Sequence, residues 1–301
     1  MTFAFVFGKL GDVIRILWLP YLLVTAAAGW LIYNVVPFAV AMLGMNFGEQ
    51  PDPQQIFAVM QPIFAPCAVF LLVALIFVPM QYAGLLRFLL KGERPGGIFY
   101  LRFGKDEWNV LLTYIVFLLI SLGIGIFFGA IETAAKFGIP GEAGTFVLPL
   151  IELVTRLVSL WVDIKLSLAF AAAIGISAIG IGRSWSLVKG NWWNLFGFYI
   201  LLGIIYIILL CAMLAPFAHH IMGLFQDLAG AGEDPDAIKE VARQHLMDLQ
   251  FWLQHPGPIG YVITAFHLAI SFLLTAVGIS AAGVAYRLIA GAEQDEAAST
   301  N

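Results

Sequence analysis

Six polar side chains recur at steps of three and four within one otherwise apolar stretch: Glu152, Thr155, Arg156, Ser159, Asp163 and Ser167. On an α-helix, at about 100° per residue, they share one face within roughly 120°. Ionisable groups on such a face cost several kcal/mol each inside a bilayer unless they are paired or hydrated, so at membrane depth they mark a solute pathway or a proton relay. Glu152, Arg156, Ser159 and Asp163 are the residues that would line it, and Glu152 and Arg156, four apart, are spaced to pair. The competing expectation comes from length. From Pro149 to Gly182 the segment has over thirty residues, about 50 Å as a helix, whereas the hydrocarbon is about 30 Å thick. Its first turns then stand outside, Asp163 and Lys165 fall at the outer interface, and the stripe is a wet or packed outer face. This second arrangement is the expected one.

Other reactive residues point to little chemistry. All five histidines, His219, His220, His245, His255 and His267, follow residue 218. Only His219 or His220 with His267 has a geometry that converges on a haem or metal, and the spacing carries no metal signature. Histidines at a membrane interface bond water or backbone, and no metal or other cofactor is expected. The sequence contains no Ser-His-Asp arrangement, no H-E-x-x-H and no phosphate-cradling glycine loop, so the chain is not expected to be an enzyme. Cys67 and Cys211 both lie in apolar runs, where a thiol behaves as a small hydrophobe, and no disulfide is expected.

The elements that must position these residues are membrane helices. Of 301 residues, 61% are hydrophobic and 11% charged, with a mean hydropathy of +0.93; a soluble domain carries about 25% charged residues. A net charge of −4 excludes a nucleic-acid binder. Six segments are long and apolar enough to span: approximately Leu17 to Val40, Ile63 to Leu86, Val110 to Ile131, Trp161 to Ile181, Leu195 to Phe217 and Ile259 to Tyr286. Lys9 and Arg15 precede an apolar run, Ile16 to Leu43, that is far longer than the core of a signal peptide, so it reads as a retained first span. Uniformly apolar runs of this length exclude membrane strands. The expected fold is all-α: six transmembrane helices as three sequential hairpins, in one membrane domain.

Basic residues orient these spans. Lys9, Arg15, Arg87, Lys91, Arg94, Arg102, Lys105, Arg183, Lys189 and Arg287 fall on one side, ten of the fifteen in the chain, against Lys136, Lys239 and Arg243 on the other. Both termini are therefore expected in the cytoplasm. Arg87, Lys91, Arg94, Arg102, Lys105, Arg183, Lys189 and Arg287, with Phe99, Tyr100 and Trp108 beside them, form a basic and aromatic collar suited to anionic headgroups. On the outer side, the loop from Ala218 to Gly257 is too long for a simple connection. Asp234 is a good N-cap with Pro235 at the first helical position. Ile238, Val241, Ala242, Leu249, Trp252 and Leu253 then recur at helical spacing up to Pro256-Gly257-Pro258. An amphipathic helix is expected there, on the outer leaflet or capping the bundle, with partner binding as the alternative. Residues 292–301 read as a disordered tail.

A repeat emerges when the approaches to the odd spans are compared. Phe7-Gly8-Lys9 precedes the first, Phe103-Gly104-Lys105 the third, and Val188-Lys189-Gly190-Asn191 the fifth, while Arg87, Arg183 and Arg287 close the even ones. Hairpin repeats of about 1–95, 96–185 and 186–290 follow. Ser121, Gly125 and Gly129 in the third span, with Ala171, Gly175, Ala178 and Gly182 in the fourth, make small-x-x-x-small faces; packing within one hairpin is expected, and a dimerisation face is the alternative. The mitochondrial carriers also use three hairpins, but Pro37 is followed by Phe38 and Ala39 rather than their Pro-x-Asp/Glu signature, and the third and fifth spans offer no match.

The run from Arg183 to Leu195, with its Ser-Trp pair, Lys-Gly-Asn and aromatic re-entry, resembles a group of bacterial six-span proteins that includes the membrane domain fused to some glycerophosphodiester phosphodiesterases. Arg102-Phe103-Gly104-Lys105-Asp106-Glu107-Trp108 is a second match. The resemblance implies a bacterial inner-membrane location and no catalytic residues, since the hydrolase domain of those fusions is absent. The expected function is a non-enzymatic inner-membrane protein that associates with lipid or serves as an accessory or scaffold subunit, with a protein partner at the outer helix or at helix faces. The alternative is a transporter or channel using the polar stripe.

Overall fold

The computed structural model describes residues 2–45, 53–93, 103–138, 142–232 and 234–299. In chain order the helices are α1 (Thr2–Gly8), α2 (Leu10–Gly44), α3 (Pro53–Lys91), α4 (Lys105–Gly138), α5 (Glu142–Leu166), α6 (Ala169–Ile176), α7 (Ile181–Val188), α8 (Trp192–Leu214), α9 (Ala218–Ala231), α10 (Pro235–Gln254) and α11 (Pro258–Ser299). A 3-10 turn, Ala215–Phe217, joins α8 to α9. There is no strand among the described residues. Six helical stretches are long and apolar enough to cross a membrane: Leu10–Gly44, Gln54–Lys91, Lys105–Gly138, Phe146–Ile176, Trp192–Ala231 and Pro258–Ala292. The all-α polytopic architecture is thus present, and the reason is chemical: in hydrocarbon every backbone amide must be bonded within its own segment, which a helix achieves. α2 carries Pro20 and Pro37 in its interior without ending, as membrane helices tolerate.

Three boundaries differ from the sequence-based expectation. The fourth span begins near Phe146, pauses at residues 167–168, and ends at Ile176 instead of running from Trp161 to Ile181. Ser177 at φ 52° lies in the left-handed region and caps α6. The chain then turns so tightly that a methyl group on Gly180 would overlap the carbonyl of Ala169, and Ile181 opens a separate helix. The stretch Ala218–Ala231, read as the start of a loop, is helix α9, continuing from the fifth span through a single 3-10 turn. The presumed tail from residue 292 continues α11 to Ser299, because its Ala, Glu and Gln residues are strong helix formers.

The chain divides into two compact units, Met1–Leu17 with Pro79–Leu202 and Ala276–Asn301 as the first, and Trp18–Val78 with Gly203–Thr275 as the second. The first unit is built on small and branched side chains: Val6, Val13, Ile16, Leu17, Leu85, Leu86, Ala171, Ala172, Ala173, Ile174, Ala276 and Ile279 are all buried. Alanine and glycine let helix backbones approach where lipid supplies no hydrophobic drive between helices. Gly283 accordingly faces Leu86, and Gly175 lies beneath the ring of Tyr286. In the second unit hydroxyl groups bridge spans. Tyr21 donates to the Leu268 carbonyl at 3.0 Å and meets the Ser271 hydroxyl, and Tyr206 donates to the Leu274 carbonyl at 2.5 Å.

Candidate functional site

Four places gather polar or chemically distinct groups. The first lies where α3 ends and α4 begins. Arg87 and Glu107 are 2% and 0% exposed and form an ion pair through both guanidinium nitrogens Nη1 and Nη2. Glu107 also accepts the Gly104 N–H at 2.8 Å, so it closes the first turn of α4 as the third residue of a capping arrangement. Asp106 lies 3.7 Å from Arg87 and 3.1 Å from Lys91. Both acids sit at a helix N-terminus, where the backbone dipole favours them. Arg87, expected to face headgroups in the collar, is instead consumed inside the protein. Lys91, Lys105, Lys189 and Arg287 are exposed and Arg183 is half-buried, while Arg94 and Arg102 lie outside the described residues.

The second place is the polar stripe on α5. Arg156 donates to Glu152 at 2.5 Å, the pairing that their spacing anticipates, and both are largely exposed, at 76% and 58%. Ser159 is half-buried. Asp163 is exposed and has no hydrogen-bond or ion-pair partner among the described residues. Thr155 and Ser167 turn back onto the carbonyls of Ile151 and Ile164. All of these residues fall within the fourth candidate span, Phe146–Ile176. Lys165, two residues past Asp163, lies on the opposite side of the helix from the stripe. It is 6% exposed, and its ammonium lies 5.9 Å from the Trp161 ring and 5.5 Å from the Trp185 ring, which themselves meet edge to face. Two indole faces are the best neutral hosts for a desolvated cation. This group was not visible in the sequence, because Trp185 reaches α5 only through the turn at Gly180. That turn is fastened by Thr113, which accepts the Gly180 N–H at 3.1 Å, and by Ser184, which donates to the Lys165 carbonyl at 2.7 Å.

The third place comprises two grooves along the end of α11, sharing Val284, Leu288 and Ala292. One, of about 550 Å³, is walled by Phe5 and Leu89 and has Arg287 as its cation. The other, of about 440 Å³, adds Asn191, Asn194, Leu195 and Phe198. Both volumes fall in the range of ligand sites, about 300–1,000 Å³.

The fourth place lies between α9 and α10. Asp234 caps α10 by accepting the Asp236 N–H at 3.0 Å, with Pro235 at the first position, as its sequence indicates. His245 Nε2 is 2.9 Å from Asp227, and Lys239 donates to the Met45 carbonyl at 2.8 Å, tying α10 to the end of α2. A cavity of about 120 Å³ is lined by Phe217, His220, His245, Asp248, Leu249 and Trp252. His267 bonds the Ile263 carbonyl at 2.7 Å and meets the Phe217 ring edge to face; His255 bonds the Phe251 carbonyl. Among the described residues no three His, Cys, Asp or Glu side chains are grouped to hold a metal. Cys67 and Cys211 are both free thiols.

Compared with family models, with curated proteins and with solved structures, the chain matches none.

Proposed function

We propose that this chain is a non-enzymatic integral protein of the bacterial cytoplasmic membrane, with both termini in the cytoplasm, that holds an anionic phospholipid beside its last span and serves as a lipid-associated accessory subunit of a membrane complex. The observation that carries the reading is the groove at the end of α11. Its walls, Phe5, Leu89, Val284 and Leu288, are apolar, and among the described residues its one charged lining residue is Arg287. An acyl chain fits the walls, and a guanidinium at the rim can bind a phosphate through paired hydrogen bonds. The excess of basic residues on the same side supports the choice of an anionic lipid. The test is lipid retention. Protein purified in mild detergent is extracted and its phosphatidylglycerol and cardiolipin are quantified per chain. The intact protein should retain more of them than Arg287→Gln does; equal retention at equal purity would overturn the reading.

One observation favours a second reading, a transporter or channel: Asp163, a carboxylate without a partner among the described residues, lies within the fourth candidate span. In that case Asp163→Asn abolishes function at normal membrane abundance, because a relay depends on the ionisable group itself.

A further inference from the structure

The hairpin formed by α4 and α5 leaves one polar face uncovered. The two helices run antiparallel, since α5 begins at Glu142, close in sequence to the end of α4 at Gly138, and the ring of Phe170 beyond its far end lies 6.4 Å from that of Tyr114 near the start of α4. The two helices pack against each other, and the less exposed side of each carries Phe117, Ile120, Ile124 and Phe128 on α4, and Ile151, Val158 and Val162 on α5. At about 100° per residue, Ser121, Gly125 and Gly129 stand about 100° from that side on α4. Glu152, Arg156 and Asp163 stand about the same angle away on α5, in the same rotational sense. Antiparallel helices are related by a two-fold axis normal to their common plane, so equal rotations lead to the same face. The hairpin therefore presents the small residues of α4 and the polar stripe of α5 side by side. Gly125 and Asp163 are exposed and Gly129 and Ser159 half-buried, and a Cβ at either glycine would meet no atom within 4 Å.

Depth makes this exposure costly. Asp163 is seven residues before Phe170, about 10 Å along the helix at 1.5 Å per residue. Since Phe170 is level with Tyr114, Asp163 is level with the middle of the apolar run Val110 to Ile131 of α4. Acyl chains offer a carboxyl group there no hydrogen bond, and a polar side chain inside a bilayer faces a bundle interior or a partner.

We infer that the α4–α5 face bearing Gly125, Gly129, Ser159 and Asp163 is the surface through which two copies of this chain pair within the membrane. The stripe complements itself. A two-fold axis along the membrane normal sets each residue opposite its own counterpart at equal depth. Arg156 of each copy then lies about one turn from Glu152 of the other, close enough to bridge both copies. The Ser159 hydroxyls can hydrogen-bond across the axis, the two Asp163 carboxyl groups can do so by sharing one proton, since two carboxylates would repel, and the glycines allow the helices to approach, as in small-x-x-x-small packing.

Disulfide trapping of the full chain in native membranes tests this, with Cys67→Ser and Cys211→Ser removing the native thiols. Ser159→Cys and Gly125→Cys should give a covalent dimer on mild oxidation, while Leu157→Cys, on the exposed apolar side of α5, should not. Trapping through Ser159→Cys should survive Asp163→Asn, whose amides still bond across the axis, and fall to the Leu157→Cys level in Asp163→Leu. Ser159→Cys remaining monomeric, or trapping a different membrane protein in place of its own copy, would overturn the inference. If Asp163→Leu fails to insert, the trapping result with Asp163 intact decides. Lipid retention by Arg287 is a separate property, so failure of one reading leaves the other standing.

Discussion

Among single residues, Arg87 and Glu107 set the firmest constraint. Each is fully enclosed, and each carries a charge that only the other and a few neighbouring groups compensate. Removing one member of a buried pair strands the other and costs about 3–5 kcal/mol, whereas replacing both by apolar residues of similar volume is often neutral. Arg87→Met should therefore lower the unfolding temperature of the detergent-solubilised protein sharply, and Arg87→Met with Glu107→Met should recover much of the loss. A double variant no more stable than the single one would mean that the loss does not come from a stranded Glu107 charge. The sequence placed Arg87 in a headgroup-facing collar because it closes the second span on the side where ten of the fifteen basic residues fall. What distinguishes it is Glu107, three residues after Gly104, a capping spacing that signals a carboxylate already held inward.

At the scale of elements, the turn between α6 and α7 decides where the fourth span ends. Gly180 lies so close to the Ala169 carbonyl and the Ala173 amide that no side chain fits, while Gly182, two residues on, faces open space. Overfilling a packed site costs about 1–3 kcal/mol or more when backbone must move. Gly180→Ala should thus reduce the folded yield markedly, and Gly182→Ala should leave it unchanged; equal behaviour in a thermal-stability assay would refute this account of the turn. Hydropathy could not locate this boundary, because Ala, Ile and Gly continue at the same apolar density through the turn as within the helix. By contrast α10 was legible to the residue: Asp234, Pro235 and the terminal Pro256-Gly257-Pro258 are local signals that act on the backbone directly.

For the whole molecule, we propose from the ten-to-three bias of basic residues that both termini lie in the cytoplasm. In a cysteine-free background, Asp236→Cys should react with an impermeant thiol reagent in intact cells and Lys105→Cys only after the membrane is opened; the reverse pattern would invert the topology. The sequence by itself determined the class, the number of candidate spans and the position of the capped helix α10. Each follows from composition, from runs of apolar residues or from side chains acting within a few positions of themselves. Tertiary structure alone decided the rest: that Arg87 pairs inward, that Lys165 lies enclosed against Trp161 and Trp185, and that Asp163 remains exposed. Sequence periodicity assigns a residue to a helical face, but whether that face meets lipid, a neighbouring helix or a second chain depends on contacts between segments distant in sequence. In a membrane those contacts are selected by close packing and paired polar groups, neither of which leaves a trace in hydropathy.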